Sequence, residues 1–282
     1  MFGRVCLVTG ANRGLGKATS TGLARLGASV LMLCRNEALG QQALEIIRRD
    51  SGNDDVNLIV ADLASLVSIR RAARQIAEQH AALHVLVNNA GVRVSRRRES
   101  VDGFELTFAV NYLAPFLLTN LLLPLLEAGA PSRIVNVTSS FEQLGRMHFD
   151  DLQLSRGYNA TRAYTQSKLA NALHTYELAE RLKGTGVTAN CVHPGLVATD
   201  LMRDLPRWVR SLWGRIFLTP EQGARAIVRL ASAPEMVGVS GQYFSRMTKA
   251  RSSGRSQNAE LRKHLWRVSA QLTNRGLSDR QH

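Results

Sequence analysis

Tyr164 and Lys168 stand four residues apart in the run Tyr-Thr-Gln-Ser-Lys. On a helix that spacing puts an ammonium and a phenol on one face, and a neighbouring positive charge favours the phenolate of a group that otherwise titrates near pH 10. A tyrosine tuned in this way can pass protons near neutral pH. Ser139 lies 25 residues before Tyr164 and offers a hydroxyl to the same reacting oxygen; Thr138 and Ser140 flank it, and the offset selects Ser139. The other chemistry-bearing run is Thr9-Gly10-Ala11-Asn12-Arg13-Gly14-Leu15-Gly16, a Gly-x3-Gly-x-Gly turn whose glycines let backbone approach a pyrophosphate at a helix N-terminus. Asn88-Asn89-Ala90-Gly91, Asn111 and Pro194-Gly195 complete the set. A Tyr-x3-Lys match alone usually marks an exposed helix face, and a glycine-rich turn alone also serves packing. All five features in one order are far harder to reach by chance.

Elements must position these residues, and the chain supplies them. Short β-branched apolar runs alternate with helical patterns, the rhythm of right-handed βαβ units. Strands are expected at Arg4–Thr9, Ser29–Cys34, Val56–Val60, His84–Asn88, Arg133–Thr138, Val187–Val192 and Gly241–Phe244. Apolar residues at three- and four-residue spacing predict helices over Gly14–Leu26, Glu37–Arg49, Leu66–His80, Val101–Leu126 and Tyr158–Lys183. The expected fold class is α/β, a doubly wound (Rossmann) seven-stranded parallel sheet with helices on both faces. No linker divides residues 1–245, which read as one dinucleotide-binding catalytic domain. Residues 246–256 are polar and read as structureless. The apolar spacing of Asn258–Leu272 predicts a helix that docks back, within a basic extension spanning 246–282. Pro206 can open a helix whose stripe holds Trp208, Val209, Leu212, Trp213, Ile216 and Phe217, so 199–220 is expected to be a substrate lid, ahead of a helix that simply packs on the domain or one that rests on anionic lipid.

The 2′ position of a dinucleotide is read where the second strand ends, by an acid for a ribose hydroxyl or an arginine for a phosphate. The residues there are Leu33-Cys34-Arg35-Asn36, without an acid, and Arg13 is a second cation within reach. Guanidinium groups suit phosphate, so NADP(H) is favoured over NAD(H); the competing reading makes both arginines solvated loop residues.

Of 282 residues, 36 are Lys or Arg and 22 Asp or Glu, a net charge of +14. Half of the excess lies beyond position 245, where nine basic residues face Glu260 and Asp279, and more sits in Arg93–Arg98 and Arg203–Arg215. No nucleic-acid motif or aromatic platform accompanies the charge, so it reads as a solvated surface rather than a nucleic-acid site. Peripheral contact with an anionic membrane and homo-oligomerisation stay open. Cys6, Cys34 and Cys191 lie in apolar runs without a CxxC, as buried thiols of a reducing compartment do, and a cytoplasmic protein is expected. The longest apolar stretch, Tyr112–Leu126, is too short and too interrupted to predict a spanning helix, and the N-terminal residues do not read as a signal peptide. His148, His174 and His193 have no ligand spacing, so no metal is expected.

Taken together, TGxxxGxG at 9–16, NNAG at 88–91, Ser139, YxxxK at 164–168 and PG at 194–195 resemble the short-chain dehydrogenase/reductase family over residues 3 to 245. VNVTSS at 135–140, AYTQSKLAN at 163–171 and VTANCVHPGLVATDL at 187–201 are most similar to its retinol-dehydrogenase and WW-domain-oxidoreductase-like branch. The resemblance implies that Tyr164 protonates a carbonyl oxygen in reduction, or acts as base in reverse, with Ser139 holding that oxygen. It implies that Lys168 binds the nicotinamide ribose and depresses the Tyr164 pKa, and that Asn111 anchors a proton-relaying water. Gly10, Asn12, Arg13, Gly14, Leu15 and Gly16 would surround the pyrophosphate. Asp62 and Leu63 would meet the adenine, and Asn89 the adenosine ribose with Ala90 and Gly91 beside it. Pro194, Gly195 and Thr199 would border the nicotinamide.

His84, where many relatives have Asp, and the basic loop Arg93–Arg98 depart from the family pattern without touching the catalytic set. The expected activity is an NADP(H)-dependent interconversion of an apolar aldehyde or ketone with its alcohol. The alternatives are a catalytically idle dinucleotide-binding regulator on the same fold and a basic membrane- or nucleic-acid-surface protein.

Overall fold

Strands β1 (Val5–Thr9), β2 (Ser29–Cys34), β4 (Val85–Asn88) and β5 (Ser132–Val137) are almost continuously buried, as strands covered on both faces must be. The computed structural model describes residues 1–197 and 217–278, with side chains through residue 274. Helices α1 (Gly14–Arg25), α2 (Glu37–Ser51) and α3 (Leu66–Gln79) alternate with β1, β2 and β3 (Val56–Val60). After β4 the chain forms one turn of helix, α4 (Leu106–Phe108), a π-helical turn (Ala109–Leu113) and α5 (Ala114–Ala128). Past β5 come a 3₁₀ turn (Ser140–Leu144), α6 (Ala160–Arg181), β6 (Val187–His193), α7 (Pro220–Ser232), β7 (Tyr243–Ser245), β8 (Thr248–Ala250) and α8 (Ala259–Ser278).

The sheet order is β3-β2-β1-β4-β5-β6-β7-β8. β1 is paired in parallel with β2 on one side and β4 on the other, with Cys6 opposite both Val30 and Val85. The winding direction reverses at that pair, so a crevice opens beyond the carboxyl ends of β1 and β4, where open α/β sheets bind ligands. One apolar cluster joins the sheet to α3, α5 and α6, with Ile69, Leu117 and Leu173 fully or nearly fully buried in it. The other joins it to α1, α2 and α7 through Leu23, Ile47 and Ile227.

Three expectations require correction. The sheet has eight strands, not seven, because β8 pairs antiparallel with β7 through a hairpin at Arg246 and Met247. Arg246 sits at φ 54°, as the two-residue hairpin turn demands. Segment 246–256 is therefore not structureless, and Ser256 within it is fully buried. The apolar helix starts at Leu106 rather than Val101, because the Glu105 carboxylate accepts from the Thr107 and Phe108 N–H groups at 2.9 and 2.7 Å and caps it there. The run Leu106–Ala128 is long and apolar enough to cross a membrane, but most of it is buried against α3 and α6, as in a core helix. Most of the expected lid, including Trp208, Trp213 and Thr199, falls in 198–216, outside the described residues.

Candidate active site

The carboxyl ends of β1, β4, β5 and β6 bring the sequence-derived residues together. Thr9 ends β1, and its hydroxyl accepts from the Asn89 and Ala90 N–H groups, both at 3.0 Å. The Asn89 amide donates to the Thr9 carbonyl at 2.8 Å, so the turn after β4 is braced on the glycine turn after β1. Gly10, at φ 66°, donates from its N–H to the Leu33 carbonyl at 2.8 Å, which ties that turn to β2 as well. A Cβ on Gly16 would lie 2.2 Å from the Gly10 carbonyl oxygen, so only glycine lets α1 start this close to β1.

A dinucleotide needs an open, electropositive cradle at that helix start. Side chains of Asn36, Ser65, Asn159 and Thr219 cap α2, α3, α6 and α7. Arg13 stands at the N-cap of α1, whose first turn carries no acid. A Cβ at Gly14 would meet nothing within 4 Å. The residues present thus fit a bound pyrophosphate. Asn12 lies in the same turn, while Leu15 is buried beside Gly223 of α7. Arg35 is exposed two residues beyond Leu33, and Asn36 is committed to capping α2 through the Leu39 N–H at 2.9 Å. Asp62 folds the turn after β3 by accepting from the Ala64 N–H at 2.9 Å, with Leu63 buried next to it. Gly195 takes φ 96° beside Pro194, and a Cβ there would strike Leu218 at 2.6 Å.

Tyr164 and Lys168 lie on α6, and Ser139 immediately follows β5. The Thr138 hydroxyl donates to the Lys168 carbonyl at 3.0 Å, which leaves Ser139 as the hydroxyl directed at Tyr164. Ser139 Oγ also accepts from the Phe141 N–H at 3.4 Å. Lys168 is 4% exposed; its Nζ donates to the Val137 carbonyl at 3.0 Å and lies 5.6 Å from the centre of the Tyr164 ring. Gly91 sits between this lysine and Asn111, since a Cβ on it would lie 3.7 Å from Lys168 Nζ and 3.5 Å from Asn111 Oδ1. The π-helical turn aims Asn111 at this point. Its amide donates to the Val92 carbonyl at 2.9 Å and to Ser167 Oγ at 3.0 Å, and its Oδ1 accepts from the Val92 N–H at 2.7 Å. With both amide hydrogens spent, only an Oδ1 lone pair and the main chain are left to Asn111 for holding a relay water.

The electrostatics depart from the expected tuning. Burial pushes the Tyr164 phenol above its ordinary value; the Ser139 hydrogen bond and the Arg93 charge oppose this without overcoming it. Burial in turn brings the Lys168 amine down to about 8. His193, beside Lys168 and Arg246, is brought down to about 4, chiefly by burial, and is neutral at pH 7. His84 accepts from the Val5 N–H through Nδ1 at 3.0 Å, a structural use for that departure from the family pattern. Thr9, Ser167 and Gly223 serve the site without having been singled out; Thr9 and Ser167 lie in motif runs, Gly223 does not.

The short chain dehydrogenase family profile matches residues 4–210. This chain belongs to that family. Among relatives of this dehydrogenase, human retinol dehydrogenase 14 is 42% identical over 95% of this chain and 86% of its own length. Human retinol dehydrogenase 11 is 44% identical over 96% and 86%. An uncharacterised protein of Mycobacterium paratuberculosis superposes with a TM-score of 0.80 at 34% identity, covering 97% of this chain and 94% of that one. The Pseudomonas aeruginosa RhlG/NADP active-site complex superposes with a TM-score of 0.71 at 28% identity, covering 91% and 97%. The fold is the Rossmann-like sheet of this oxidoreductase family, and its members bind NAD(P).

Proposed function

We propose that this dehydrogenase interconverts an apolar aldehyde or ketone with the corresponding alcohol, using NADP(H). The observation that carries the proposal is a connected set at the end of the sheet where the glycine turn opens: Ser139 is hydrogen-bonded to Tyr164, Lys168 lies beside the Tyr164 ring, and Lys168 and Asn111 flank Gly91. When bound, the dinucleotide supplies or accepts hydride. Gly10, Arg13, Gly14 and Gly16 would hold its pyrophosphate, Arg35 its 2′-phosphate, Lys168 its nicotinamide ribose, and Pro194, Gly195 and Thr199 its nicotinamide.

The chain's own residues then orient the carbonyl and move a proton. Ser139 Oγ–H holds the carbonyl oxygen, and the Tyr164 hydroxyl donates its proton to that oxygen. In reverse the Tyr164 phenolate takes the alcohol proton. The raised phenol keeps Tyr164 protonated at neutral pH, the form that carbonyl reduction needs. Phe141 and Leu144, on the turn after Ser139, are 39% and 69% exposed, and Phe141 meets the Tyr164 ring edge-on at 6.0 Å. That apolar rim supports a hydrophobic substrate, and the retinol dehydrogenase relatives make a retinoid a natural probe.

The test is turnover of all-trans-retinal, nonanal and a short polar aldehyde with NADPH and with NADH. Reduction of the two apolar aldehydes preferentially with NADPH is expected. Dinucleotide binding without turnover of any carbonyl would instead favour the catalytically idle regulator.

A further inference from the structure

The segment after β8 reaches back to the turn that carries Ser139. Glu142, in that turn, is 0% exposed. One of its carboxylate oxygens accepts from the Ser253 N–H at 2.8 Å and the other from the Ser253 hydroxyl at 2.7 Å. Arg255 donates to the Gln143 and Gly145 carbonyls at 3.4 and 3.0 Å, so the same turn is gripped at Glu142, Gln143 and Gly145. The Glu142 N–H donates to the Ser139 carbonyl at 3.0 Å, which closes the turn directly onto the serine. The grip is itself braced. Ser256 Oγ donates to the Ser253 carbonyl at 2.7 Å and lies 2.7 Å from Ser252 Oγ, and Ser252 Oγ lies 2.7 Å from the Tyr176 hydroxyl on α6, the helix that carries Tyr164.

A buried carboxylate is costly unless its oxygens are satisfied. Here both are, by one serine 111 residues away in sequence. On the far side the turn rests against α6: a Cβ on Gly145 would meet the Thr165 carbonyl at 2.5 Å. The turn is thus held between the helix bearing the acid and the segment beyond the sheet.

We infer that Glu142 is a positioning residue, which sets Ser139 against Tyr164 by locking the Ser139–Gly145 turn to Ser253 of the C-terminal extension. The inference rests on the Ser139 and Tyr164 roles proposed above. Losing the lock lets the Ser139 hydroxyl drift from the phenol, so the hydrogen bond that lowers the phenol weakens. Glu142 touches neither substrate nor dinucleotide in this scheme and acts only through Ser139.

The test is a double-mutant cycle with two readouts. The first is kcat for nonanal reduction in E142A, S139A and the pair; the second is the Tyr164 titration by NMR of tyrosine labelled with ¹³C at Cζ, which needs no turnover. E142A is expected to lower kcat roughly tenfold, a fraction of the roughly 10²–10³-fold cost of deleting an oxyanion donor outright. It should leave the dinucleotide Kd unchanged and raise the Tyr164 pKa in the same direction as S139A. In the S139A background E142A should add nothing to either readout. E142Q can accept from the Ser253 N–H and donate to its hydroxyl oxygen, so it should restore both. S253A serves as the milder variant should E142A fail to fold, and should move both readouts part of the way. Additive losses in kcat, or a Tyr164 titration that E142A and S253A leave in place, would overturn the inference. Should the wild type turn over no carbonyl, the proposed function fails and the titration alone decides the role of Glu142.

Discussion

Lys168→Met tests the electrostatics of the site in isolation, because it removes a charge that the fold bears at a cost. Burial brings the Lys168 amine from 10.5 to about 8. Each tenfold change in proton affinity corresponds to about 1.4 kcal/mol, so the folded protein forgoes about 3 kcal/mol to hold this lysine charged. The sign follows from linkage. The folded pKa lies below the unfolded one, so the penalty is fully present below pH 8 and disappears as pH rises from 8 to 10.5. Met fills the same channel without charge but leaves the Val137 carbonyl without this donor, a loss of about 1 kcal/mol. At pH 7 the variant should therefore be more stable than the wild type by about 2 kcal/mol, although it is inactive. The assay is urea unfolding of both proteins from pH 7 to 10.5 without added dinucleotide. The difference between them isolates Lys168 from every other group that titrates in this window. Wild-type stability should climb relative to the variant across pH 8 to 10.5. A flat difference, or a variant less stable at pH 7, would refute the assignment of a desolvated, charged Lys168.

Three further outcomes are expected. Gly16→Ala places a Cβ 2.2 Å from the Gly10 carbonyl and 2.6 Å from the Asn89 amide. Such overpacking costs about 1–3 kcal/mol, so Tm and dinucleotide affinity should both fall, and wild-type values for both would contradict the close approach of α1 to β1. On the proposed pairing of Arg35 with a 2′-phosphate, Arg35→Asp would replace an ionic hydrogen bond worth about 1.5–3 kcal/mol with repulsion, and the ratio of kcat/KM for NADPH over NADH should drop at least tenfold; an unchanged ratio places the phosphate contact elsewhere. Arg93→Met removes a charge that holds the Tyr164 phenol down, so the rising limb of the alcohol-oxidation pH profile should move to higher pH, and a limb that stays put would show that Arg93 does not act on Tyr164.

The alternation of buried strands and helices was legible because each strand from β1 to β6 is a compact apolar run with a recognisable turn at its carboxyl end. Helix α7 was not anticipated, although Thr219-Pro220-Glu221-Gln222 forms a capping box. Its buried face, Gly223, Ala224, Ala226, Ile227, Leu230 and Ala231, recurs at three- and four-residue spacing and packs closely on α1, so the signal for this helix is present in the sequence. β8 is three residues long and partly exposed, and only its partner β7 makes it a strand.

The site was legible as a set of residues but not as a field. Tyr-x3-Lys spacing placed Lys168 near Tyr164, yet the upward shift of the phenol is set chiefly by burial, which no local pattern encodes. Glu142 lies in no motif run, and the partner that satisfies its buried carboxylate, Ser253, is 111 residues away in sequence.

The most direct measurement of the central claim is carbonyl reduction by Tyr164→Phe. Phe keeps the ring packed against Phe141 and removes only the hydroxyl directed at Ser139. With NADPH and nonanal or all-trans-retinal, kcat should fall about 10²–10⁴-fold, the usual worth of general acid catalysis, while NADPH binding followed by fluorescence is unchanged. A variant that binds NADPH and retains wild-type kcat would contradict Tyr164 as the proton donor.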